Sequence, residues 1–145
     1  MQKEWKVGLR VASVNVNSKG TLLRLLASWS LTDEYDVILV QEHHENIKEK
    51  LKDLHRQVEK WGWLSTWTPA ITKNEGTTWG CGILWKWGLP MVAPVLQEGV
   101  ARAGGRTCVA QLAWPGLKLI EFLSVYLETG GKINENNLQI LSDIA

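Results

Sequence analysis

The residues best placed to do chemistry follow a short apolar run. Asp36-Val-Ile-Leu-Val-Gln-Glu42 carries no charge from Val37 to Gln41, is wholly apolar from Val37 to Val40, and breaks into Gln41-Glu42-His43-His44-Glu45. A continuous apolar run this short reads as a strand buried on both faces. Glu42 then stands at the C-terminal lip of that strand, where a carboxylate is held rigidly at the mouth of a sheet and can serve as a metal ligand or a general base. The same position also suits a strand that simply reaches water, since strand ends are often polar. His43, His44, His55, Cys81 and Cys108 show none of the spacings of a structural zinc site, and adjacent loop histidines are expected to be solvated. Trp85-Lys86-Trp87 has the composition of a platform for single-stranded nucleic acid, but the basic residues do not cluster and the net charge is only +1.

The elements that must hold these residues follow from periodicity. Leu9 to Val16, with Val11, Ala12, Val14 and Val16, is a strand candidate ended by Asn15, Asn17 and Ser18, and Gly20 supplies a turn. From Thr21 a helix places Leu22, Leu23, Leu26 and Trp29 on one face, and Thr32-Asp33-Glu34 closes it. After the Val37–Val40 strand, Asn46 can cap a second helix with Glu49 reaching back. Its apolar stripe is Ile47, Leu51, Leu54, Val58 and Trp61, its outer face carries Glu45/Lys48, Glu49/Lys52 and Asp53/Arg56, and Gly62 stops it.

Beyond Gly62 the pattern becomes β. Trp63 to Trp67 alternates, 69–78 reads as a polar loop with turn residues Asn74 and Gly76, and Trp79 to Trp85 is a strand. Gly80 and Gly82 within that strand predict close backbone approach or a bulge. Val92 to Gln97 is a weaker strand, Gly104-Gly105 a turn, and Arg106 to Trp114 with Leu117 to Leu127 a hairpin about Pro115-Gly116. Asn134 caps a last helix, with Leu138, Leu141 and Ile144 beginning its stripe and Ile133 and Leu138 as its staple. The order β-α-β-α, strands, helix predicts an α+β chain with a mixed sheet, or two stacked sheets flanked by helices.

Composition narrows the class. At 145 residues, with 45% hydrophobic and 21% charged residues, the chain fits one ordinary globular domain. No apolar run reaches membrane-spanning length, so no membrane partner is expected. The start, Met1 to Lys6, lacks the apolar stretch of a signal peptide, so an intracellular setting, nuclear or cytoplasmic, is expected, with Cys81 and Cys108 as buried free thiols. Nine Trp against two Tyr and one Phe point to wide flat contacts in the core or at a surface.

Ser13-Val-Asn-Val-Asn17, Asp36 to Glu42, Gly80-Cys-Gly-Ile-Leu84, Arg106 and Val125-Tyr126 occur in order. Together they resemble the endonuclease/exonuclease/phosphatase superfamily, the deoxyribonuclease I-like fold, and within it most resemble the endonuclease domains of non-LTR retrotransposons. The resemblance implies a Mg²⁺ (or Mn²⁺) dependent phosphodiesterase acting on nucleic acid, with DNA as the foremost substrate. It implies that Glu42 is the metal-binding glutamate, Asn15 an amide of the phosphate and metal cage, Asn17 a holder of a metal-bound water, and Tyr126 a hydroxyl donor to the scissile phosphate. Asn15 and Asn17 are also ordinary turn residues, Tyr126 an ordinary strand aromatic, and Arg106 reads more simply as a hairpin-edge charge.

The departures from the family pattern are equally informative. The chain has no Asp-x-Asn and no Asp-His anywhere; Asp143 is followed by Ile144 and Ala145. The family's later Asp, Asn and His residues, the general base among them, therefore have no counterpart. The resemblance implies the N-terminal half of a four-layer α/β/β/α sandwich, a single partial domain over 1–145, because such sandwiches run to roughly 200–250 residues. A half sandwich is expected to be nearly or wholly inactive alone, and to need self-association or a missing C-terminal half to cover an apolar sheet face and an open edge. A catalytically dead structural or regulatory remnant is the alternative.

Overall fold

The structure is a computed structural model that describes residues 8–32, 34–73, 76–99, 105–113, 116 and 119–127. Its elements in chain order are β1 (Val11–Asn15), α1 (Lys19–Thr32), β2 (Val37–Gln41), α2 (Lys48–Glu59), β3 (Trp63–Thr68), β4 (Ile71–Lys73), β5 (Gly76–Thr78), β6 (Cys81–Lys86), β7 (Met91–Val92), β8 (Thr107–Leu112) and β9 (Ile120–Val125).

Strand β2 is covered on both sides, as its apolar run requires. Val37, Ile38 and Val40 are fully buried and Leu39 half-buried. Each such side chain contributes about 1.5–3 kcal/mol relative to exposure. The β2 strand lies inside a four-stranded mixed sheet of order β1-β2-β6-β3, parallel to β1 and antiparallel to β6. A second, antiparallel sheet has the order β7-β8-β9, and β4-β5 form a separate hairpin. Alternation splits the core in two. Ile38, Val40, Leu84, Trp63 and Trp67 pack with Leu22, Leu26, Leu51, Leu54 and Val58 from the helices. Val37, Ile83 and Trp85 pack with Leu89, Ala110 and Leu112 between the sheets, with Leu39, Phe122 and Tyr126 at the margin. The described residues thus form three layers, helices on sheet on sheet, in accord with an α+β partial sandwich; among them no helix lies on the far side of β7-β8-β9.

The register of β1 and β2 is pinned at its entry. Asp36, buried, accepts from the Arg10 N–H at 2.9 Å and from the Arg10 guanidinium at 3.3 and 3.4 Å, while its own N–H donates to the Arg10 carbonyl at 2.8 Å. Breaking such a pair would leave a buried carboxylate uncompensated.

Several local expectations are corrected. Helix α1 begins at Lys19, because the Ser18 hydroxyl accepts the Thr21 N–H at 3.1 Å and caps it, so Gly20 is inside the first turn. Asn46 does not cap α2. The helix begins at Lys48 after Ile47 without a side-chain cap, and the Asn46 amide donates instead to Thr72 in β4 at 2.8 Å. Ile47 is exposed rather than part of the stripe, and Glu45 pairs with Lys19 rather than Lys48; the Glu49/Lys52 and Asp53/Arg56 pairs form as expected. The stretch read as a loop contains the β4-β5 hairpin, and the Val92 to Gln97 strand shrinks to β7 and a single bridge between Trp67 and Leu96. The side chain of Trp29, Asp33, Asn74, Gly104, Pro115 and the helix expected after Asn134 lie outside the described residues.

The two glycines of the β6 stretch do mark close approach. A Cβ on Gly82 would enter the Trp67 ring and come within 3.3 Å of the Thr66 carbonyl. Both partners are buried, so neither can swing away. Gly82→Ala is therefore expected to destabilise the fold by about 1–3 kcal/mol through overpacking, read as a lower urea midpoint at an unchanged slope.

Candidate active site at the sheet rim

The sequence-predicted residues gather at one end of the sandwich. Because β1 and β2 are parallel, both deliver their C-terminal ends there, and antiparallel β6 delivers its N-terminal end. Asn15 pairs with Gln41, and Gln41 with Cys81, so the three stand in one row across the sheet. Glu42 is the next residue after that row. The second sheet brings β9 to the same end: Ser124 Oγ accepts from Gln41 Nε2 at 3.0 Å and donates to the Val40 carbonyl at 2.7 Å. Tyr126 lies two residues beyond Ser124, with its N–H donating to the Arg106 carbonyl at 2.9 Å.

The backbone at this rim is unusual. Among the described residues the non-glycine positions with positive φ are Asn17 (55°), Glu42 (60°), His44 (61°) and Trp79 (70°), all at this end. Left-handed backbone costs a residue with a Cβ on the order of 1 kcal/mol, so neighbouring contacts must hold it. The pairing of β2 with the β6 stretch continues past Cys81, with His43 N–H donating to Gly80 O at 3.1 Å and His44 N–H to Trp79 O at 3.0 Å. This carries the Glu42 loop upward instead of letting it fold into solvent.

His43 locks the loop from inside. It is buried rather than solvated, contrary to the expectation for adjacent loop histidines. Its Nδ1 accepts the Glu45 N–H at 3.0 Å, which leaves Nε2 as the protonated nitrogen that donates to the Thr68 carbonyl at 3.0 Å. The ring meets Trp67 edge-on at 5.6 Å between centroids, and the space a Cβ on Gly80 would need is taken by the imidazole. Glu45 completes the support. One oxygen accepts from Lys19 at 2.9 Å and the other from the Ile47 N–H at 3.3 Å, tying the loop to α1 and to the start of α2. Partial burial opposes ionisation of Glu45, but the Lys19 and Ile47 donors outweigh it and hold its carboxyl below the ordinary value.

Asn17 N–H donates to Asn15 Oδ1 at 3.2 Å. This engages the carbonyl end of the Asn15 side chain and turns its NH₂ end to other partners, which suits an anion better than a cation. Glu42 keeps 16% of its side chain exposed and has His44 Nε2 at 3.8 Å from Oε1. The Cys81 thiol sits beneath: burial pushes it above the ordinary thiol range, with Ser124 and the Tyr126 N–H against the sulfur and Glu42 close enough to act on it electrostatically. Burial likewise pushes Cys108 up to about 12. Both are free and buried as expected, and such thiols stay protonated and poorly nucleophilic.

Arg106 is not a hairpin-edge charge. It is 5% exposed, and its guanidinium carbon stands 3.8 Å from the centre of the Trp79 ring, an aromatic contact that pays part of the cost of burying a cation. Trp85 is 4% exposed within the inter-sheet core and Trp87 is 75% exposed, so Trp85-Lys86-Trp87 offers one outward ring and no stacking platform. Sequence reading missed the burial of His43 and Arg106 and the bridge formed by Gln41. A signal for the bridge was present in part: Ser124 is a polar residue on the Ile120, Phe122, Ser124 face of β9, which is otherwise apolar.

The donors for a divalent cation are incomplete. Among the described residues no group of three or more His, Cys, Asp or Glu side chains is placed to hold a metal ion. Glu42 with two neutral amides has the hard-oxygen chemistry of Mg²⁺ ligands but a single negative charge, and charge count sets affinity. These residues by themselves do not fit a Mg²⁺ or Mn²⁺ site. No helix among the described residues is long and apolar enough to cross a membrane.

Folding His43 without a proton has a consequence for stability. Burial lowers its pKa from 6.5 to about 4, so between those values the unfolded chain binds a proton that the folded chain does not. The associated stability is complete above pH 6.5 and is lost as pH falls through that interval toward pH 4, at most about 3 kcal/mol. Urea unfolding with chelator present, followed from pH 7 to pH 4, is expected to show this loss in the wild type and a flatter profile in His43→Gln.

No protein-family model matches the sequence, and neither does any curated protein. Solved structures do match. The AP endonuclease LMAP from Leishmania major superposes with a TM-score of 0.56 at 18% identity, over 83% of this chain and 40% of that one. A 3′ phosphatase, NExo from Neisseria, bound to a product DNA hairpin, gives 0.62 at 16% identity, over 94% and 50%. A protein of the endonuclease/exonuclease/phosphatase family from Leptotrichia buccalis gives 0.57 at 15%, over 95% and 62%. The chain spans about half the length of these structures. It has the fold of the endonuclease/exonuclease/phosphatase proteins, the deoxyribonuclease I-like sandwich, over the portion it covers.

Proposed function

We propose that the chain carries the Glu42 side of a phosphodiester-cleaving site that acts on DNA. The observation that carries this reading is the convergence of Asn15, Glu42 and Tyr126, from β1, β2 and β9, on one rim where both sheets end. The nuclease and phosphatase neighbours, one of them with a DNA product, support the same class of substrate. Kinship with non-LTR retrotransposon endonucleases rests on the sequence motifs.

In this reading the Asn15 NH₂ group and the Tyr126 hydroxyl donate to the oxygens of a bound phosphate, which gains most from donors aimed before it arrives. Glu42 supplies the negative oxygen of the site, and Asn17 holds a water beside it. Among the described residues no three His, Cys, Asp or Glu side chains are grouped to hold a metal ion, and the sequence has no Asp-His to match the general base of the family it resembles. Members of a catalytic set act as a unit, and losing several costs orders of magnitude in rate. The 145-residue chain is accordingly expected to be inactive, and its site to be completed by protein that supplies the missing donors.

The test compares the purified chain with a form extended by the reading frame that follows Ala145. Both are assayed with Mg²⁺ or Mn²⁺ on abasic-site duplex DNA and on a 3′-phosphate hairpin. The short form is expected to give no cleavage. The extended form is expected to cut, with Glu42→Ala lowering the rate by about 10²-fold or more. An extended form that binds but never cuts would mark a catalytically dead remnant. Cleavage by the short form that survives Glu42→Ala would overturn the proposal.

A further inference from the structure

Gln41 is nine-tenths buried at the point where the two sheets meet. Its Nε2 donates to Ser124 Oγ of β9 at 3.0 Å and to Ser13 Oγ of β1 at 3.2 Å, and its Oε1 lies 3.4 Å from the Ser13 hydroxyl. Ser124 passes the chain on to the Val40 carbonyl at 2.7 Å. One side chain therefore joins three strands from two sheets. The inter-sheet cluster on this side of the sheet is apolar, with Cys81 and Ala110 buried and Leu39 and Tyr126 partly buried.

The spacing of the bridge is the telling feature. On each strand a residue of the candidate site follows the bridging residue by one or two positions. Asn15 is two residues beyond Ser13 and Tyr126 two beyond Ser124, so on these two strands the site residue repeats the face of the serine about 7 Å further up. Glu42 is one residue beyond Gln41. Most of the contact between the sheets is apolar and tolerates sliding because it lacks direction. On the β3–β8 side the Thr68 hydroxyl donates to the Thr107 carbonyl at 2.6 Å, and on the β2–β9 side the directional link runs through Gln41 and Ser124. A buried amide does not tolerate sliding: shifting β9 by one residue would take Ser124 from one N–H of the Gln41 amide while Ser13 keeps the other, at a cost of about 1–3 kcal/mol.

We propose that Gln41 is a positioning residue that sets the register of β9 against β1 and β2, and so fixes Tyr126 relative to Asn15 and Glu42. The proposal rests on the reading of these three as one site, but the coupling of the strands can be measured without any activity.

The experiment uses the full chain, in Gln41→Met, Ser124→Ala and the double variant, with thermal melts and the backbone amide resonances of Asn15, Glu42 and Tyr126 as readouts. Each single variant strands a polar partner and is expected to lower the melting midpoint by about 3–10 °C. The double variant removes the Gln41–Ser124 pair together and leaves only Ser13, which is exposed and can bond water, so its midpoint should recover most of that loss. The rim resonances on all three strands should nonetheless stay displaced in the double variant, because the directional link is gone. Ser124→Thr, which keeps the hydroxyl, should restore them. The proposal is overturned if the resonances return together with the midpoint in the double variant, or if each substitution displaces only its own strand. Should the protein prove unable to bind or cut DNA while the resonances behave as expected, the functional reading fails and the register assignment stands.

Discussion

A strand that is apolar on both faces cannot be satisfied by one packed layer, and β2 is such a strand. Ile38 and Val40 demand the helices on one side, while Val37 and Leu39 demand a second sheet on the other. The alternation that separates these demands also separates the core into its two clusters. The remainder of the architecture follows from meeting both: α1 and α2 lie over one face, and β8 and β9 over the other. Glu42 inherits its position from this constraint. It is the first charged residue after a segment that has no freedom to move, so its backbone is fixed more firmly than a loop position would ordinarily be.

The rim above β2 shows how such a position is maintained at a cost. Left-handed φ at Glu42, His44 and Trp79 is unfavourable for residues with side chains. It persists because His43 reaches down to Thr68 and back to Glu45, because Gly80 leaves room for the imidazole, and because the β2–β6 pairing runs on past the formal strand ends. Each support comes from a different part of the chain. The loop is therefore rigid for reasons that no local stretch contains, in keeping with a place where geometry matters more than stability.

The inner face of the edge strand β1 is a contrasting case. Val11, Ser13 and Asn15 share one face with Val37, Leu39 and Gln41, yet Val11 is 42% exposed. Among the described residues β9 reaches over β2 and β6, and β1 extends past it. Asn15 is thereby accessible from solvent while its neighbour Gln41 is buried. Accessibility at one end of a row and burial in its middle is what a site at the edge of a two-sheet stack requires.

Periodicity in the chain was enough to place β1, both helices, β2, β3, β6 and the β8-β9 hairpin to within a few residues, because each has a face whose apolar content local spacing exposes. The glycines of the β6 stretch marked points of close approach, and the end of the apolar run marked Glu42, whereas Asn15 and Tyr126 were singled out only by the resemblance to a family. The Asn46 cap, by contrast, was misread because a hydroxyl on Thr72, distant in sequence, competes for that amide. Arg106 was read as an edge charge because nothing near it announces the Trp79 ring, and His43 as solvated because its partners Thr68 and Trp67 arrive from β3. What depends on repetition along the chain is written locally. What depends on a directional contact between distant residues is decided only when the sheets close, and the bridge from Gln41 of β2 to Ser124 of β9 is a contact of that second kind.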